Sequence, residues 1–180
     1  MSEEEKKPMK IYLCGPIQYV EDYITWRSRM DDFLDEHGHE AVMPWGEVYH
    51  GKKIKMKFKR LRVDLERDKY FDEVRKYMKE NIVKYDLDAL ISSDAVLFWH
   101  PRDVKTAGSF GEITLAHYLR EWTGRKYQIW VVSDYHKDEL SYWVIGCSDK
   151  VFKTMEDFED WFLKKYDLNN KEKKEDKKER

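Results

Sequence analysis

The sequence predicts a single α/β domain, a parallel sheet with helices packed on both faces. Three observations point to it. Strand-like runs recur at 10–15 (KIYLCG), 39–44 (HEAVMP), 94–99 (DAVLFW) and 127–132 (YQIWVV). Segments with apolar residues at helical spacing separate them, and such alternation is the pattern of parallel strands joined by crossover helices. At 180 residues the chain has room for one sizeable core and not for two.

The first run is stopped by Gly15-Pro16, a turn signal. The helix after it carries Trp26, Met30, Phe33 and Leu34 on one face and ends at His37-Gly38, with the glycine as C-cap. Pro44 closes the second strand. Residues 45–63 read as a loop running into a helix, with seven basic residues between Lys52 and Arg62. Residues 64–80 read as a helix with Phe71, Val74 and Met78 in phase. Residues 81–92 read as another, with Val83, Leu87, Leu90 and Ile91 in phase. Asp94 is expected to be a cap or turn residue before the third strand. TAGSFGE (106–112) reads as a glycine-bearing loop, followed by a helix through Ile113, Ala116 and Leu119. Residues 144–152 are expected to add a short strand. Thr154 and Asp157 form a capping box for a last helix with Phe158, Trp161 and Phe162. The expected architecture is a three-layer sandwich of the Rossmann or flavodoxin kind. Residues 1–9 are expected to be a disordered leader and 10–166 the folded domain. Residues 167–180 are expected to be a disordered tail, because KEKKEDKKER has nothing to bury.

Hydrophobic residues make up 41% and aromatic residues 15% of the chain, which fits a folded domain and not a disordered one. Charged residues reach 39% while the net charge is only −2, so both signs are dense on the surface. Two cysteines, Cys14 and Cys147, cannot build a disulfide framework and read as buried free thiols suited to a reducing cytosol. No apolar run approaches the roughly 20 residues that span a bilayer, and the first ten residues lack an apolar signal core. A soluble cytoplasmic protein without membrane contact is expected. The histidines at 37, 39, 50, 100, 117 and 136 show no metal-ligand spacing, and no metal or cofactor is expected. His37 and His39 flank a glycine and are expected to be solvated. There is no G-x-S-x-G, G-x-G-x-x-G or P-loop.

In parallel sheets ligands bind beyond the carboxyl ends of the strands, which singles out residues 14–20, 44–52, 99–111 and 133–143. Gly108-Ser109-Phe110-Gly111-Glu112 lies there, between a strand and a helix. Its glycines let a ligand approach the backbone, and the helix start offers free N–H groups to an anion. Glu112 is expected in the first helical turn, where it is either a site carboxylate or a plain complement to the helix dipole. Gly15 and Pro16 end the first strand, where a glycine lets a sugar or phosphate lie on the backbone; the alternative is an ordinary turn. Asp86 and Asp88 point about 200° apart on a helix, so they do not share a face, and each is open to reading as a plain surface acid. Trp45 and Trp99 stand at strand ends and serve either to stack on a base or to pack the core. Residues 52–62 offer a basic stretch to nucleic acid, but a solvated face fits better, since acids at 64, 66, 68, 72 and 73 follow at once.

Four blocks together resemble the nucleoside 2-deoxyribosyltransferase family and its relatives, the nucleoside 5′-monophosphate N-glycosidases. They are KIYLCGP, YDLDALISSDAVLFWHP, AGSFGEITLA and VIGCSDKVFKTMEDF, in the family's order over about residues 10–158. The resemblance implies that Glu112 is the nucleophile that attacks the anomeric carbon and forms a glycosyl-enzyme ester. It implies that Asp86 handles the leaving base and that Tyr12 orients the nucleophile. It places Ser141 where the family supplies a residue from a neighbouring subunit, so a homo-oligomer with shared sites is implied. Transferases resembling this chain carry aspartate six residues before the nucleophile, where this sequence has Thr106. Monophosphate N-glycosidases have a phosphate-binding hydroxyl there, and they also use a hydroxyl where Ser141 stands. Ser109 adds another hydroxyl. Hydroxyls and free N–H groups suit a phosphate that a carboxylate would repel. Gln18 stands where a phosphate site would favour a positive residue.

The expected function is cleavage of the N-glycosidic bond of a nucleoside or its 5′-monophosphate, passing the sugar to water or to a second base. A small-molecule nucleoside or nucleotide is the expected partner. The competing readings are a non-catalytic nucleotide-binding module and a nucleic-acid-binding protein using residues 52–62.

Overall fold

Among the described residues, five parallel strands form one sheet in the order β2-β1-β3-β4-β5. They are β1 (Lys10–Cys14), β2 (Glu40–Val42), β3 (Ala95–Trp99), β4 (Gln128–Val132) and β5 (Lys150–Phe152). The helices numbered here among the described residues are α1 (Thr25–Glu36), α2 (Lys84–Ser92), α3 (Ala107–Thr123), α4 (Tyr142–Cys147) and α5 (Met155–Tyr166), with a π-helical turn (Lys79–Val83) leading into α2. The structure, a computed structural model, describes residues 7–17, 24–44, 72, 75–76 and 79–167. Gln18, Trp45, the basic stretch 52–62, most of the expected 64–80 helix, the first six residues of the leader and the tail after 167 lie outside the described residues.

Strand alternation divides the core in two. On one face Ile11, Leu13, Leu97, Trp130, Val132 and Phe152 pack with α1 and α5. On the other, Tyr12, Cys14, Val96, Phe98, Ile129 and Val131 pack with Leu90 of α2, Ile113 and Ala116 of α3, and Val144 and Cys147 of α4. The sheet is therefore the middle layer of the expected sandwich. Trp130 is almost fully buried, with the rings of Phe158, Trp161, Phe162 and Tyr166 all within 5.8 Å of its own. Thr154 and Asp157 form the expected capping box of α5, with N–H donation in both directions. Asp94 accepts from Lys10 N–H at 2.9 Å, tying the start of β3 to β1.

Four sequence expectations change. Residues 106–112 are not a loop: α3 begins at Ala107, before both glycines. Ser109, Ile113 and Ala116 form its buried face, and burying that stripe outweighs the roughly 1 kcal/mol per glycine of lost helix propensity. The face of residues 81–92 is also different. Asp86 and Leu90 are the buried residues of α2, while Val83 and Ile91 are exposed. Residues 144–152 divide between α4 and a three-residue β5. Finally, His39 is buried: Met9 N–H donates to its Nδ1 at 3.2 Å, its Nε2 lies 3.1 Å from the Tyr166 carbonyl, and its ring meets Phe162 edge-on. Both cysteines are free and buried, as expected. Among the described residues no helix is long and apolar enough to cross a membrane.

Candidate active site

The strand order reverses beside β1: the chain leaves it for β2 on one side and returns at β3 on the other. The carboxyl ends of β1 and β3 are thus the topological switch point, where open parallel sheets bind ligands. Tyr12 and Cys14 are alternate residues of β1, so both side chains face α3. Tyr12 Oη donates to Glu112 Oε1 at 3.2 Å, and Cys14 Sγ donates to Glu112 Oε2 at 2.9 Å. Cys14 Sγ also lies 3.7 Å from the Ser109 carbonyl.

Glu112 sits in the second turn of α3, which has no acidic residue in its first turn. The helix-dipole explanation of this glutamate therefore falls away. Burial raises its pKa, while the thiol, the phenol and the Arg27 charge pull the other way. Burial, and then the charges of Glu112 and Asp86, hold the Tyr12 phenol well above its ordinary value. Burial, and then Glu112, do the same to the Cys14 thiol. Both groups keep their protons and act as donors. Asp86 is itself buried on α2, one turn before Leu90, and Leu90 packs with Tyr12, Cys14 and Ile113, so Asp86 lies on the same side of the sheet as Glu112.

Two features at the end of β1 are not evident from the sequence. Arg27 of α1 is fully buried. Its Nε donates to the Leu13 carbonyl at 3.2 Å, and Nη2 to the Gly15 carbonyl at 2.9 Å. Nη1 donates to the Pro16 carbonyl at 3.5 Å, and the guanidinium lies 4.4 Å from the Trp26 ring. The arginine pins the turn that follows Cys14. Gly15 is required by packing: a Cβ there would stand 2.8 Å from Trp26 Cζ2 and 3.2 Å from the Trp99 carbonyl. Pro16 is buried in the same turn.

Thr106 is the buried N-cap residue of α3, and its Oγ1 lies 3.4 Å from His100 Nδ1. His100 stacks between Phe98 and Tyr135, each 5.2 Å away, and meets Phe110 edge-on. Burial lowers its pKa, so the ring favours the neutral form. Arg102 lies 4.8 Å from the Tyr135 ring and pairs with Glu139, joining the loops after β3 and β4. Ser109 is buried, while Gly108 and Gly111 are exposed and a Cβ on either would meet nothing within 4 Å.

The structure thus brings Tyr12 and Glu112 into contact and sets Asp86, Gly15, Pro16, Thr106, Gly108 and Ser109 on the elements around them. Ser141 is exposed and caps α4, accepting from Trp143 N–H at 3.3 Å. Trp99 faces the other way: it packs on Trp26 at 5.3 Å, on the sheet face opposite Tyr12 and Cys14. No cluster of three or more metal-ligating side chains occurs among the described residues.

No family model and no curated protein matches the sequence. Solved structures match its fold. One is the 2-deoxyribosyltransferase of the psychrotolerant bacterium Bacillus psychrosaccharolyticus, described as a biocatalyst for synthesis of antiviral and antitumoral nucleosides. It is 17% identical with a TM-score of 0.54, over 89% of this chain and 94% of that one. A conserved protein from Enterococcus faecalis V583 is 14% identical with a TM-score of 0.48, over 86% of this chain and 96% of that one. Over nearly its whole length, this chain shares its fold with a 2-deoxyribosyltransferase.

Proposed function

We propose that this protein cleaves the N-glycosidic bond of a nucleoside or nucleoside 5′-monophosphate through a covalent sugar ester on Glu112. The observation that carries the proposal is the Glu112 carboxylate, held by Tyr12 and Cys14 at the switch point with the Asp86 carboxyl on the same side. One carboxylate oxygen attacks the anomeric carbon as the C–N bond breaks and the electron pair leaves with the base. Asp86 handles the leaving base, as its proton donor or hydrogen-bond partner. Water or a second base then attacks the anomeric carbon and frees Glu112, the double displacement of a retaining glycosidase. Tyr12 orients the nucleophile by its phenol hydrogen bond.

A 5′-monophosphate is the preferred substrate in this reading. Thr106 and Ser109 add hydroxyls at the N-terminal turn of α3, where backbone N–H groups favour an anion. The exposed Gly108 adds no side chain to the outer side of that turn.

A homo-oligomer completes the proposal. Among the described residues, the exposed large hydrophobics are Val83, Tyr85, Ile91, Tyr118, Trp122, Tyr142, Trp143 and Ile145. All lie on the π turn, α2, α3 or α4, and none on α1 or α5. A second copy packed against this layer would cover them and would place its Ser141 near an interface. Sedimentation should then show a species larger than the monomer.

The deciding experiment is a screen for free-base release from nucleosides and their 5′-monophosphates, with and without a second free base. Wild type should release base and Glu112→Gln should release none. Full activity in Glu112→Gln would remove the nucleophile assignment.

A further inference from the structure

We propose that Cys14 is a positioning residue that holds the second oxygen of the Glu112 carboxylate while Tyr12 holds the first. The inference rests on the assignment of Glu112 as nucleophile and adds a residue to that site.

The thiol has two acceptors within reach: the carboxylate at 2.9 Å and the Ser109 carbonyl at 3.7 Å. The nearer and charged acceptor takes the proton. Cys14 is fully buried, so water does not compete for it. Its backbone is fixed from both sides. It pairs with Phe98 across the sheet, and Arg27 grips the carbonyls of Leu13 before it and Gly15 after it. Cys14 and Tyr12 are two residues apart on one strand, so their spacing along the carboxylate is set by strand geometry and not by flexible side chains. With one donor on each oxygen, rotation of the carboxylate is blocked and its remaining lone pairs point away from β1. A thiol is a weak donor. It orients the oxygen while taking less of its electron density than a hydroxyl would. This is the balance a nucleophile needs.

The test compares wild type with Cys14→Ala and Cys14→Ser. Base release is measured against pH, and the Glu112 carboxyl is titrated by ¹³C NMR, its signal assigned by loss in Glu112→Gln. Removing a donor from the charged form raises a carboxyl pKa. Cys14→Ala should therefore move both the acid limb of kcat/KM and the Glu112 titration to higher pH. It should also lower kcat/KM about tenfold, mainly through kcat, the effect of about 1.4 kcal/mol of lost hydrogen bonding. Cys14→Ser retains a donor and should recover most of the rate and the wild-type titration or a lower one. A folded Cys14→Ala protein with an unmoved titration overturns the proposal.

If Cys14→Ala does not fold, the S–H infrared band decides in a Cys147→Ser background, where Cys14 carries the only thiol. Replacing Glu112 by Ala should shift that band towards the free-thiol position, and an unshifted band overturns the proposal. A wild type that releases no base from any substrate refutes the nucleophile reading instead. The titration still decides whether the thiol holds the carboxylate.

Discussion

Tyr12 and Cys14, alternate residues of β1, grip the two oxygens of a single carboxylate, at 3.2 Å and 2.9 Å. Tyr12→Phe removes one grip and leaves the ring that fills the core. A hydrogen bond to a charged group contributes about 1.5–3 kcal/mol, so kcat/KM should fall roughly 10- to 100-fold and the melting temperature should drop by several degrees, with the protein still folded. Steady-state kinetics beside thermal melting will check it. An unchanged kcat/KM would separate Tyr12 from the reaction.

Glu112→Gln should stabilise the protein on the alkaline side while abolishing activity. Burial raises the folded carboxyl above its unfolded pKa. The stability tied to this group is therefore complete below the unfolded carboxyl value and declines as pH rises through the folded one. Glutamine has no charge to bury and escapes that decline. Melting temperatures across pH should favour the variant at neutral and alkaline pH, with the gap closing in acid. A variant less stable than wild type at pH 8 would contradict this.

Gly108→Ala separates fold from function. An added Cβ meets nothing within 4 Å, and alanine is the better helix former by about 1 kcal/mol. The variant should withstand more urea. If the first turn of α3 receives the substrate phosphate, the variant's KM for a 5′-monophosphate should rise more than its KM for the free nucleoside. Equal effects on both substrates would remove the phosphate from this turn.

Gly15→Ala should have the opposite effect on stability. Its Cβ runs into the Trp26 ring and the Trp99 carbonyl, and the carbonyl belongs to β3 and cannot yield without moving the strand. Overpacking of this kind destabilises by about 1–3 kcal/mol. Urea unfolding should register a lower midpoint, and an unchanged midpoint would show that the turn relaxes freely.

The three central strands were legible because each is buried on both faces and so reads as an unbroken apolar run: KIYLC, AVLFW and QIWVV. Local pattern set Glu112 and Asp86 only between site acid and ordinary acid; their roles, and that of Tyr12, came from the resemblance. The phase of α2 was misread because the position packed against the sheet side belongs to an acid, Asp86, and an apolar-stripe argument assigns acids to solvent. Two glycines made the start of α3 look like a loop. Arg27 escaped notice because a charged residue beside a tryptophan in an amphipathic helix suggests the wet face. Its three carbonyl partners come from another element. Cys14 read as core beside a glycine. The signal that could have singled it out was its two-residue spacing from Tyr12, which gives both side chains the same outlook.

The pairing of β1 between β2 and β3 aligns Tyr12 with Val42 on one side and Val96 on the other. Sliding β1 by one position would present Ile11 and Leu13 to the acid and hand the phenol and the sulfur to the opposite layer. Two hydrocarbon chains would then confront a charge they cannot solvate. The ladder of main-chain bonds that builds the sheet also sets the wiring of the reaction centre.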